Sequence, residues 1–492
     1  MTPRSIAVAA TLLAAAWAAC GGRSELRIGG APAGAGTGGS GTGGVPVDGG
    51  IVDADAPDAP PPPPPCELAA AGDPVAMLSF SSGSANASDL VVLDAGQPQG
   101  GAGARVAVKA RAADANFWHP EIHLAGVRVG LSWPDGLVVD QPLTLFAFES
   151  HEWGTLARSS ASDSELVLFW HYAGALVDPP SLRYQRFDTA SWSVSPPVDV
   201  VIGDEYGASE ALAPGPGLAV DGIGYGGNGY AVAFRRHLAE VGTEARVALL
   251  STNGAFTLGP FTAAPATDYP GRGASVVWTG SSYLVATSFS TCPPPGEAFC
   301  APRSIVLLRL RPPEHAGDPG GLEVTGTVAV QSPTHEPTRP RIAERAGSAY
   351  LAWTERPTDE PDAPRVIRMV PVDAAGSLQG SPRTLTADAH PSTGLSLAVN
   401  QHGLLVMWAE PGDDSLPPES PGHARLVIHH LAFDGEAIQS PLTFDVPALS
   451  YYPGLAAAGL DHPEAVLVSF AATAPSTDLR TEIFLGRLDC VP

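Results

Sequence analysis

The chain has 492 residues and a formal net charge of −24, from 51 acidic and 27 basic residues. This charge argues against nucleic acid and against an anionic membrane surface as partners, because the electrostatic interaction with either is repulsive. The 55 glycines and 50 prolines indicate many turns together with a low-complexity segment. The length exceeds that of a simple domain, although large closed β architectures reach it as single units.

Residues 1–19 have the composition of a bacterial signal peptide. Arg4 supplies the positive charge, and Ile6–Ala16 is an apolar run too short to span a bilayer. The next residues, Trp17-Ala-Ala-Cys20-Gly-Gly, resemble the lipobox of bacterial lipoproteins, with Trp17 where that family has a large aliphatic residue. The resemblance implies a lipid on Cys20 that tethers the protein to the bacterial envelope, at the outer membrane or cell surface. Plain secretion, with cleavage near Ala19, is the alternative.

Residues 20–65 are predicted to be a disordered, Gly/Pro-rich tether. Gly29–Gly50 consists almost wholly of small and polar residues and predicts a flexible coil. Pro60–Pro65 predicts a polyproline II rod that rises about 3 Å per residue. We interpret this segment as a spacer between a surface and a folded body, residues 66–492. A ligand for proline-binding modules is the alternative.

The five cysteines suggest how the body is cross-linked. An odd number in an exported protein leaves one thiol over, and lipidation of Cys20 leaves four cysteines for two disulfides. Three pairings of four cysteines exist. We favour Cys292–Cys300, which flank seven residues, together with Cys66–Cys490, which lie at the two ends of the body. The second pair requires adjacent chain ends, as ring-closed folds provide. A zinc site is not expected from these cysteines, since no Cys-x-x-Cys spacing occurs.

Short apolar segments recur through the body, and each is predicted to be a β-strand. They are Glu165–Trp170, Tyr230–Phe234, Tyr283–Thr287, Tyr350–Trp353, Leu405–Trp408 and Val466–Phe470, with a weaker copy at Val127–Trp133. From Trp170 onward their last positions are 64, 53, 66, 55 and 62 residues apart. This spacing is too variable for a fixed-length solenoid and fits a four-stranded blade with loops of different lengths.

A second predicted strand follows each of these segments and forms a hairpin with it. These strands are Ser181–Asp188, Ala245–Ser251, Ser304–Arg311, Arg365–Asp373, Ala424–Asp434 and Thr481–Asp489. Several end in a turn with an acidic or amide residue before glycine, namely Asn253-Gly254, Asp373 to Gly376 and Asp434-Gly435. Such residues tolerate the positive φ that tight hairpins need. Helical periodicity is scarce.

The sequence therefore predicts an all-β fold, a single β-propeller of seven blades, with six or eight left open, behind a disordered tail. Packing blades around an axis buries both faces of each, and closing the ring removes exposed strand edges. Because the chain stops before the last unit has four strands, a strand near Val75–Phe80 is expected to complete it. The signal, the tail and the hairpin pattern resemble lipoproteins of high-GC Gram-negative bacteria that carry a β-propeller behind such a tail, a resemblance that implies no particular activity.

No segment predicts a catalytic, cofactor-binding or metal-binding site. Ser150–Thr155 is a single, degenerate copy of the Asp-box repeat of sialidases. His119, Glu121 and His123 have the two-residue spacing that would put three metal-ligand candidates on one face of a strand. A second group, Asp204, Glu205 and Glu210, has carboxylates of the type used in glycoside hydrolysis. We interpret the first as an ordinary strand rim and the second as a grouping that a chain with 51 acidic residues offers by chance. Trp170, Trp353 and Trp408 are expected in the core.

The function expected from the sequence is binding rather than catalysis. The loops between strands carry the variation and are where sites usually lie. We expect a monomeric, lipid-anchored module that binds a protein or glycan through its loop-bearing face, without a cofactor. The alternative is a hydrolase or lyase that acts on extracellular carbohydrate with the same scaffold.

Overall fold

The fold was described from a computed structural model of the chain. It covers residues 66–80, 85–94, 104–112, 121–139, 143–145, 151–159, 164–172, 181–202, 206–217, 227–238, 242–267, 274–289, 304–313, 320–329, 335–345, 347–357, 365–386, 393–411, 424–446, 455–460, 464–473 and 481–491. The regular structure in these ranges is β-strand throughout. A search of the same ranges found no helix with the length and apolarity needed to cross a membrane.

The strands form seven antiparallel sheets, which we number as blades I to VII in chain order. Blade I has β3 (Ala85–Asp94), β4 (Ala104–Ala112), β5 (Glu121–Val129), β6 (Leu137–Val139) and β7 (Leu143–Leu145). Blade II has β8 (His151–Arg158), β9 (Glu165–Tyr172), β10 (Ser181–Asp188), β11 (Ser193–Val194) and β12 (Val198–Ile202). Blade III has β13 (Tyr206–Gly217), β14 (Gly227–Leu238), β15 (Gly242–Ser251) and β16 (Phe256–Thr267).

Blades IV to VI repeat the same four-stranded plan. Blade IV has β17 (Ala274–Trp278), β18 (Tyr283–Phe289), β19 (Ser304–Arg311) and β20 (Gly321–Ala329). Blade V has β21 (His335–Arg345), β22 (Ser348–Pro357), β23 (Val366–Val372) and β24 (Arg383–Thr384). Blade VI has β25 (Thr393–Val399), β26 (Leu404–Pro411), β27 (Ala424–Leu431) and β28 (Leu442–Val446).

Blade VII closes the ring with strands from both ends of the body. It has β29 (Leu455–Leu460), β30 (Ala465–Thr473) and β31 (Thr481–Val491), and β31 pairs antiparallel with both β1 (Glu67–Ala70) and β2 (Val75–Phe80). The first strand of each blade contacts the first strand of the next, and β29 of blade VII contacts β3 of blade I. The predicted seven-bladed propeller and its closing strand at Val75–Phe80 are therefore confirmed.

The apolar core is divided among the seven interfaces between neighbouring blades. Each of seven buried clusters joins side chains of two adjacent blades, including the pair VII and I. At the interface of blades II and III, for example, the rings of Phe169 and Phe234 meet edge to face with centroids 6.4 Å apart. Because each blade buries its faces only against its neighbours, the whole core depends on the ring being closed.

Tyrosine hydroxyls tie neighbouring blades together at these interfaces. Tyr184 Oη of blade II donates to the Thr252 carbonyl of blade III at 2.7 Å, and Tyr350 Oη of blade V donates to the Phe433 carbonyl of blade VI at 2.9 Å. Burial raises the pKa of both hydroxyls above the usual tyrosine value. Both phenols therefore stay protonated and keep donating across the physiological range.

The predicted hairpins are the central two strands of blades II to VII. The six apolar segments lie in β9, β14, β18, β22, β26 and β30, and their partners lie in β10, β15, β19, β23, β27 and β31. The weaker copy at Val127–Trp133 does not occupy the position equivalent to the other six, because only Val127–Val129 lie in a strand, at the end of β5, the third strand of blade I. The second strand there is β4, where Lys109 and Arg111 interrupt the apolar pattern.

The tight turns that follow the third strands have the predicted conformation. Gly254, Gly376 and Gly435 have φ of 84°, 88° and 86°. In the blade V turn, Asp373 Oδ1 accepts hydrogen bonds from the backbone N–H groups of Ala375 at 3.0 Å and Ser377 at 2.8 Å. A carboxylate that caps its own turn in this way is the local interaction that the Asp-before-Gly pattern predicts.

The antiparallel order gives the propeller two different faces. On one, the loop-bearing face, each second strand connects to the third and each blade connects to the next. On the other, the hairpin face, lie the turns after the first and third strands. The two longest connections, residues 290–303 and 412–423, each join a second strand to a third and so begin and end on the loop-bearing face.

Candidate functional site

The innermost strands change register where they start, at the loop-bearing end of the central channel. Such shifts occur in β3, β8, β13, β21 and β25. A β-bulge bends its strand and re-aims side chains, and bulges are common beside active sites. The shifts at the starts of these five strands shape the channel mouth on the loop-bearing face.

The bulge in blade V places an arginine in a strained conformation. Between the pairs Thr338↔Thr354 and Arg341↔Ala352, β21 has one residue more than β22. Within this bulge Arg339 has a φ of 54°, which costs an L-residue about 1–2 kcal/mol. Strain of this kind persists at ligand clamps and active sites, where the surrounding structure enforces it.

A second non-glycine residue with positive φ shows what an ordinary structural cause looks like. Trp192, with a φ of 53°, lies in the turn before β11 on the hairpin face. Its ring packs on the buried cluster between blades I and II, and the Arg105 guanidinium lies 5.6 Å from its centroid. Packing thus accounts for the position of the Trp192 ring.

Polar side chains form hydrogen bonds with the residues on either side of Arg339 in the bulge. Thr338 Oγ1 and Thr354 Oγ1 lie 3.1 Å apart, and Arg365 Nη1 donates to Thr338 Oγ1 at 3.0 Å. Arg341 Nε donates to the Leu395 carbonyl of blade VI at 3.2 Å. These bonds connect the bulge to β22, to the start of β23 and to the next blade, so its backbone is held from three sides.

A buried carboxylate completes this part of blade V. Glu355 accepts hydrogen bonds from Trp353 Nε1 at 3.1 Å and from Arg368 Nε at 2.8 Å. With both oxygens bonded and the residue only 3% exposed, Glu355 is suited to holding Arg368 rather than to acid–base chemistry.

Comparable arginine–carboxylate pairs occur in two other blades. Arg183 of blade II lies opposite Trp170 and binds Asp199 at 2.8 Å, and Arg246 of blade III lies opposite Phe234 and binds Glu244 at 2.5 Å. Arg368 lies opposite Trp353 in the same way. This repeated pair is therefore part of the scaffold, and the strained Arg339 distinguishes blade V from it.

A second cluster of reactive side chains lies on the hairpin face, where the ring closes. Its members are Cys66, His402, Glu464 and Cys490, and we call it the ring-closure cluster. Cys66 and Cys490 form a disulfide with their Cα atoms 5.5 Å apart. His402 Nε2 lies 3.7 Å from Cys490 Sγ and also contacts the Glu464 carboxylate. One ligating atom of each residue lies within 4.8 Å of all the others.

Three elements bring this cluster together. The disulfide joins the residue before β1 to the end of β31, in the register Leu68↔Cys490. His402 lies in the turn between β25 and β26, where Asn400 Oδ1 accepts hydrogen bonds from the backbone N–H groups of His402 at 2.9 Å and Gly403 at 2.7 Å. Glu464 precedes β30, and its carbonyl accepts a hydrogen bond from the Cys490 N–H at 3.2 Å.

The residues singled out from the sequence have different outcomes. The predicted disulfide Cys66–Cys490 is confirmed, whereas Cys20, Cys292 and Cys300 lie outside the described residues. The three tryptophans are buried as expected, at 0–3% exposure. His123 is buried with its ring centroid 4.7 Å from that of Phe80, which fits a packing role.

The remaining candidates do not assemble into a site among the described residues. His119, Asp204 and Glu205 lie outside these residues, and Glu121 and Glu210 are placed only by backbone, in β5 and β13. The degenerate Asp-box segment is not a turn, because residues 151–155 are part of β8, the innermost strand of blade II.

Two features of the sites were missed by the sequence reasoning. The Arg339 bulge has no local turn pattern to announce it. The ring-closure cluster combines residues far apart in the chain, and a test for Cys-x-x-Cys spacing cannot detect it. The two terminal cysteines are the part of this cluster that the sequence indicates. The turn that carries His402 comes next to them only when the ring is closed.

No protein-family model matches the chain, and no curated protein matches it. Among solved structures, the chain is similar to the polysaccharide lyase Uly1, at 10% identity and a TM-score of 0.45, over 86% of this chain and 100% of the lyase. It is also similar to the GH93 α-L-arabinofuranosidase of Fusarium graminearum in complex with arabinobiose, at 9% identity and a TM-score of 0.42, over 68% and 92% of the two chains.

A third similar structure is a subtype N11 neuraminidase-like protein of A/flat-faced bat/Peru/033/2010 (H18N11). The identity is 11% and the TM-score 0.37, over 70% of this chain and 89% of that chain. The three neighbours are two carbohydrate-active enzymes and one neuraminidase-like protein. At these identities and scores, the similarities carry no argument about the site or the ligand of this chain.

Proposed function

We propose that the chain binds an anionic carbohydrate at the channel mouth of its loop-bearing face, with Arg339 contacting the anionic group. The observation that carries this proposal is the strained bulge that presents Arg339. A guanidinium can donate two parallel hydrogen bonds to one carboxylate. Such bonds between charged groups are stronger than hydrogen bonds between neutral groups. A backbone cost of this size is retained where a function needs the side chain at that point.

Further arginines extend this site toward the loops. Arg356 is the last residue but one of β22, and Arg365 begins the next described segment. Both are half-buried, and both lie at the loop-bearing end of blade V. In a chain of net charge −24, a local group of arginines selects an anionic ligand against the general repulsion of the surface.

A second candidate function is hydrolysis or elimination of the same carbohydrate. The observation that favours it is in the sequence between Arg356 and Arg365, which contains Asp359, Glu360 and Asp362. Carboxylates this close in sequence to Arg356 and Arg365 are of the type that supplies the acid and the base for cleavage of a glycosidic bond. Binding alone needs only the arginines, so the two candidates differ in their need for these carboxylates.

The experiment is a comparison of ligands with the purified protein. Calorimetric titration with uronate-containing and with neutral oligosaccharides should give binding only to the anionic set, and Arg339→Ala should weaken it at least tenfold. Equal binding of neutral sugars, or an unaffected variant, would contradict the proposal. Release of reducing ends, or of products with an unsaturated uronate chromophore, would establish the hydrolase or lyase.

We also propose that the protein is exported and anchored by a lipid on Cys20. The lipobox-like sequence supports the anchor, and the Cys66–Cys490 disulfide supports export alone, because disulfides persist mainly in oxidising compartments. Replacing Cys20 by serine should move the protein from the membrane fraction to the soluble fraction. Continued retention of the Cys20→Ser protein in membranes would contradict the anchor.

A further inference from the structure

The ring-closure cluster has the composition of a zinc site as well as that of a disulfide. Zinc prefers four ligands drawn from cysteine sulfur, histidine nitrogen and carboxylate oxygen. Cys66, Cys490, His402 and Glu464 offer two sulfurs, one nitrogen and one carboxylate oxygen, all within 4.8 Å of one another. Ligand atoms around a tetrahedral zinc ion lie about 3–4 Å apart, given bond lengths of about 2.0–2.3 Å.

We propose that, when the disulfide is reduced, these four residues bind one Zn²⁺ ion and keep the ring closed. In the oxidised form the two sulfurs are bonded to each other and cannot both act as thiolate ligands. Reduction frees them while β1 remains paired with β31, so the two thiols stay close together. The ring then has two alternative closures, one covalent and one metal-based.

The chemistry balances with a dithiol as the reductant. A dithiol transfers two electrons and two protons to the Cys66–Cys490 bond, becomes a cyclic disulfide, and leaves two cysteine thiols. Zn²⁺ then displaces one proton from each thiol. It also takes a lone pair of His402 Nε2 and one oxygen of the Glu464 carboxylate, which completes four coordination bonds.

The surroundings favour a preformed site over a chance grouping. Only 6% of the His402 side chain is exposed, and Cys66 is buried in the core cluster between blades VI and VII. The Asn400 side chain fixes the turn that carries His402. The Gln401 Nε2 group contacts the Glu464 carboxylate. Glu464 is partly open to solvent, which leaves a path for the ion.

The proposal is tested by titrating zinc into oxidised and reduced protein. In a background with Cys20, Cys292 and Cys300 replaced by serine, the protein is reduced anaerobically, freed of reductant, and titrated against a chromophoric chelator. We expect one Zn²⁺ per reduced chain and none per oxidised chain. Co²⁺ in place of zinc should produce a thiolate-to-metal charge-transfer band, which reports sulfur ligation directly.

Ligand variants separate this site from nonspecific binding. His402→Ala and Glu464→Ala should each weaken zinc binding by at least about tenfold. Glu482→Ala, on the same strand as Cys490 but at its opposite end, should leave zinc binding unchanged. The fold of each variant is checked in the oxidised state, where the disulfide still closes the ring. Absence of stoichiometric zinc binding in the reduced protein, or binding that survives loss of both His402 and Glu464, would overturn the proposal.

Discussion

Arg339 is the residue at which stability and function are expected to oppose each other. Glycine adopts a φ of 54° without a steric penalty, although it gives the unfolded chain more freedom. Arg339→Gly should therefore raise the free energy of unfolding by up to about 1 kcal/mol, while carbohydrate binding falls at least tenfold. Chemical denaturation and calorimetry measure the two effects.

Arg339→Ala is the matched control for this prediction. Alanine removes the guanidinium but keeps the Cβ atom and hence the backbone strain, so Arg339→Ala should be less stable than Arg339→Gly by up to about 1 kcal/mol, while it weakens binding to the same extent, at least tenfold. If Arg339→Gly binds the anionic sugar as tightly as the parent, the strain serves something other than the ligand contact.

Two adjacent histidines of β27 are expected to make the fold sensitive to acid. Burial lowers the pKa of His429, and lowers the pKa of His430 to about 4, where the charge of His402 acts in the same direction. The unfolded state, with a histidine pKa of about 6.5, binds more protons than the folded state between these values. Stability should therefore fall as the pH drops from about 7 toward 4.

The measurement is the midpoint of urea unfolding at a series of pH values. For His430 alone the loss should be at most about 3 kcal/mol at pH 4. His430→Leu, which cannot be protonated, should flatten the curve over this range. An unchanged slope in His430→Leu would mean that other groups cause the acid sensitivity.

At the level of the element, the turn glycines differ in what surrounds them, and this difference is testable. A Cβ atom on Gly254 would lie 2.7 Å from Tyr184 Cβ of the neighbouring blade, in addition to the strain of its φ of 84°. Gly280 has a φ of 89°, but a Cβ atom there would meet no atom within 4 Å. Gly254→Ala should thus cost about 2–4 kcal/mol and Gly280→Ala about 1 kcal/mol.

Thermal and chemical unfolding of the two alanine variants would check this pair. The comparison of the two losses in unfolding free energy matters more than either value. Both variants share the backbone penalty, and only Gly254→Ala adds the clash between blades II and III. Equal losses would show that the turn of blade III moves away from Tyr184 without cost.

The elements that the sequence predicts best are the central strands of each blade. They are buried on both faces, so they read as short apolar runs such as Tyr283–Phe289. Outer strands such as β11 and β24 span two residues each and have no pattern to recognise. Blade I was misread because Lys109, although buried, breaks the apolar run of β4.

The sites were less predictable because they depend on register and on closure. A single additional residue in β21 places Arg339 in its conformation, and a one-residue register shift leaves no compositional trace. His402 and Glu464 meet the terminal cysteines only after seven blades have packed. The pairing of Cys66 with Cys490 was predictable because it follows from ring closure itself.

For the whole molecule, the remaining question is whether pairing of strands or the disulfide closes the ring. Both β1 and β2 pair with β31, and Leu68 and Leu78 are buried in the two interfaces of blade VII. The side chain of Gln439 in blade VI also donates to the Leu68 carbonyl at 2.9 Å. These contacts do not require the sulfurs to be joined.

Replacing both Cys66 and Cys490, which are 424 residues apart, by serine should therefore lower stability, by at most about 6 kcal/mol on the loop-entropy model, but leave the β circular dichroism and the monomer elution volume unchanged. Deleting residues 66–80 should have a larger effect, because it exposes the edge of β31, and unpaired edges associate with other chains. Size-exclusion chromatography should show this deletion variant as oligomers. If the double-serine variant also forms oligomers, then the disulfide closes the ring, and the pairing of β1 and β2 with β31 depends on it.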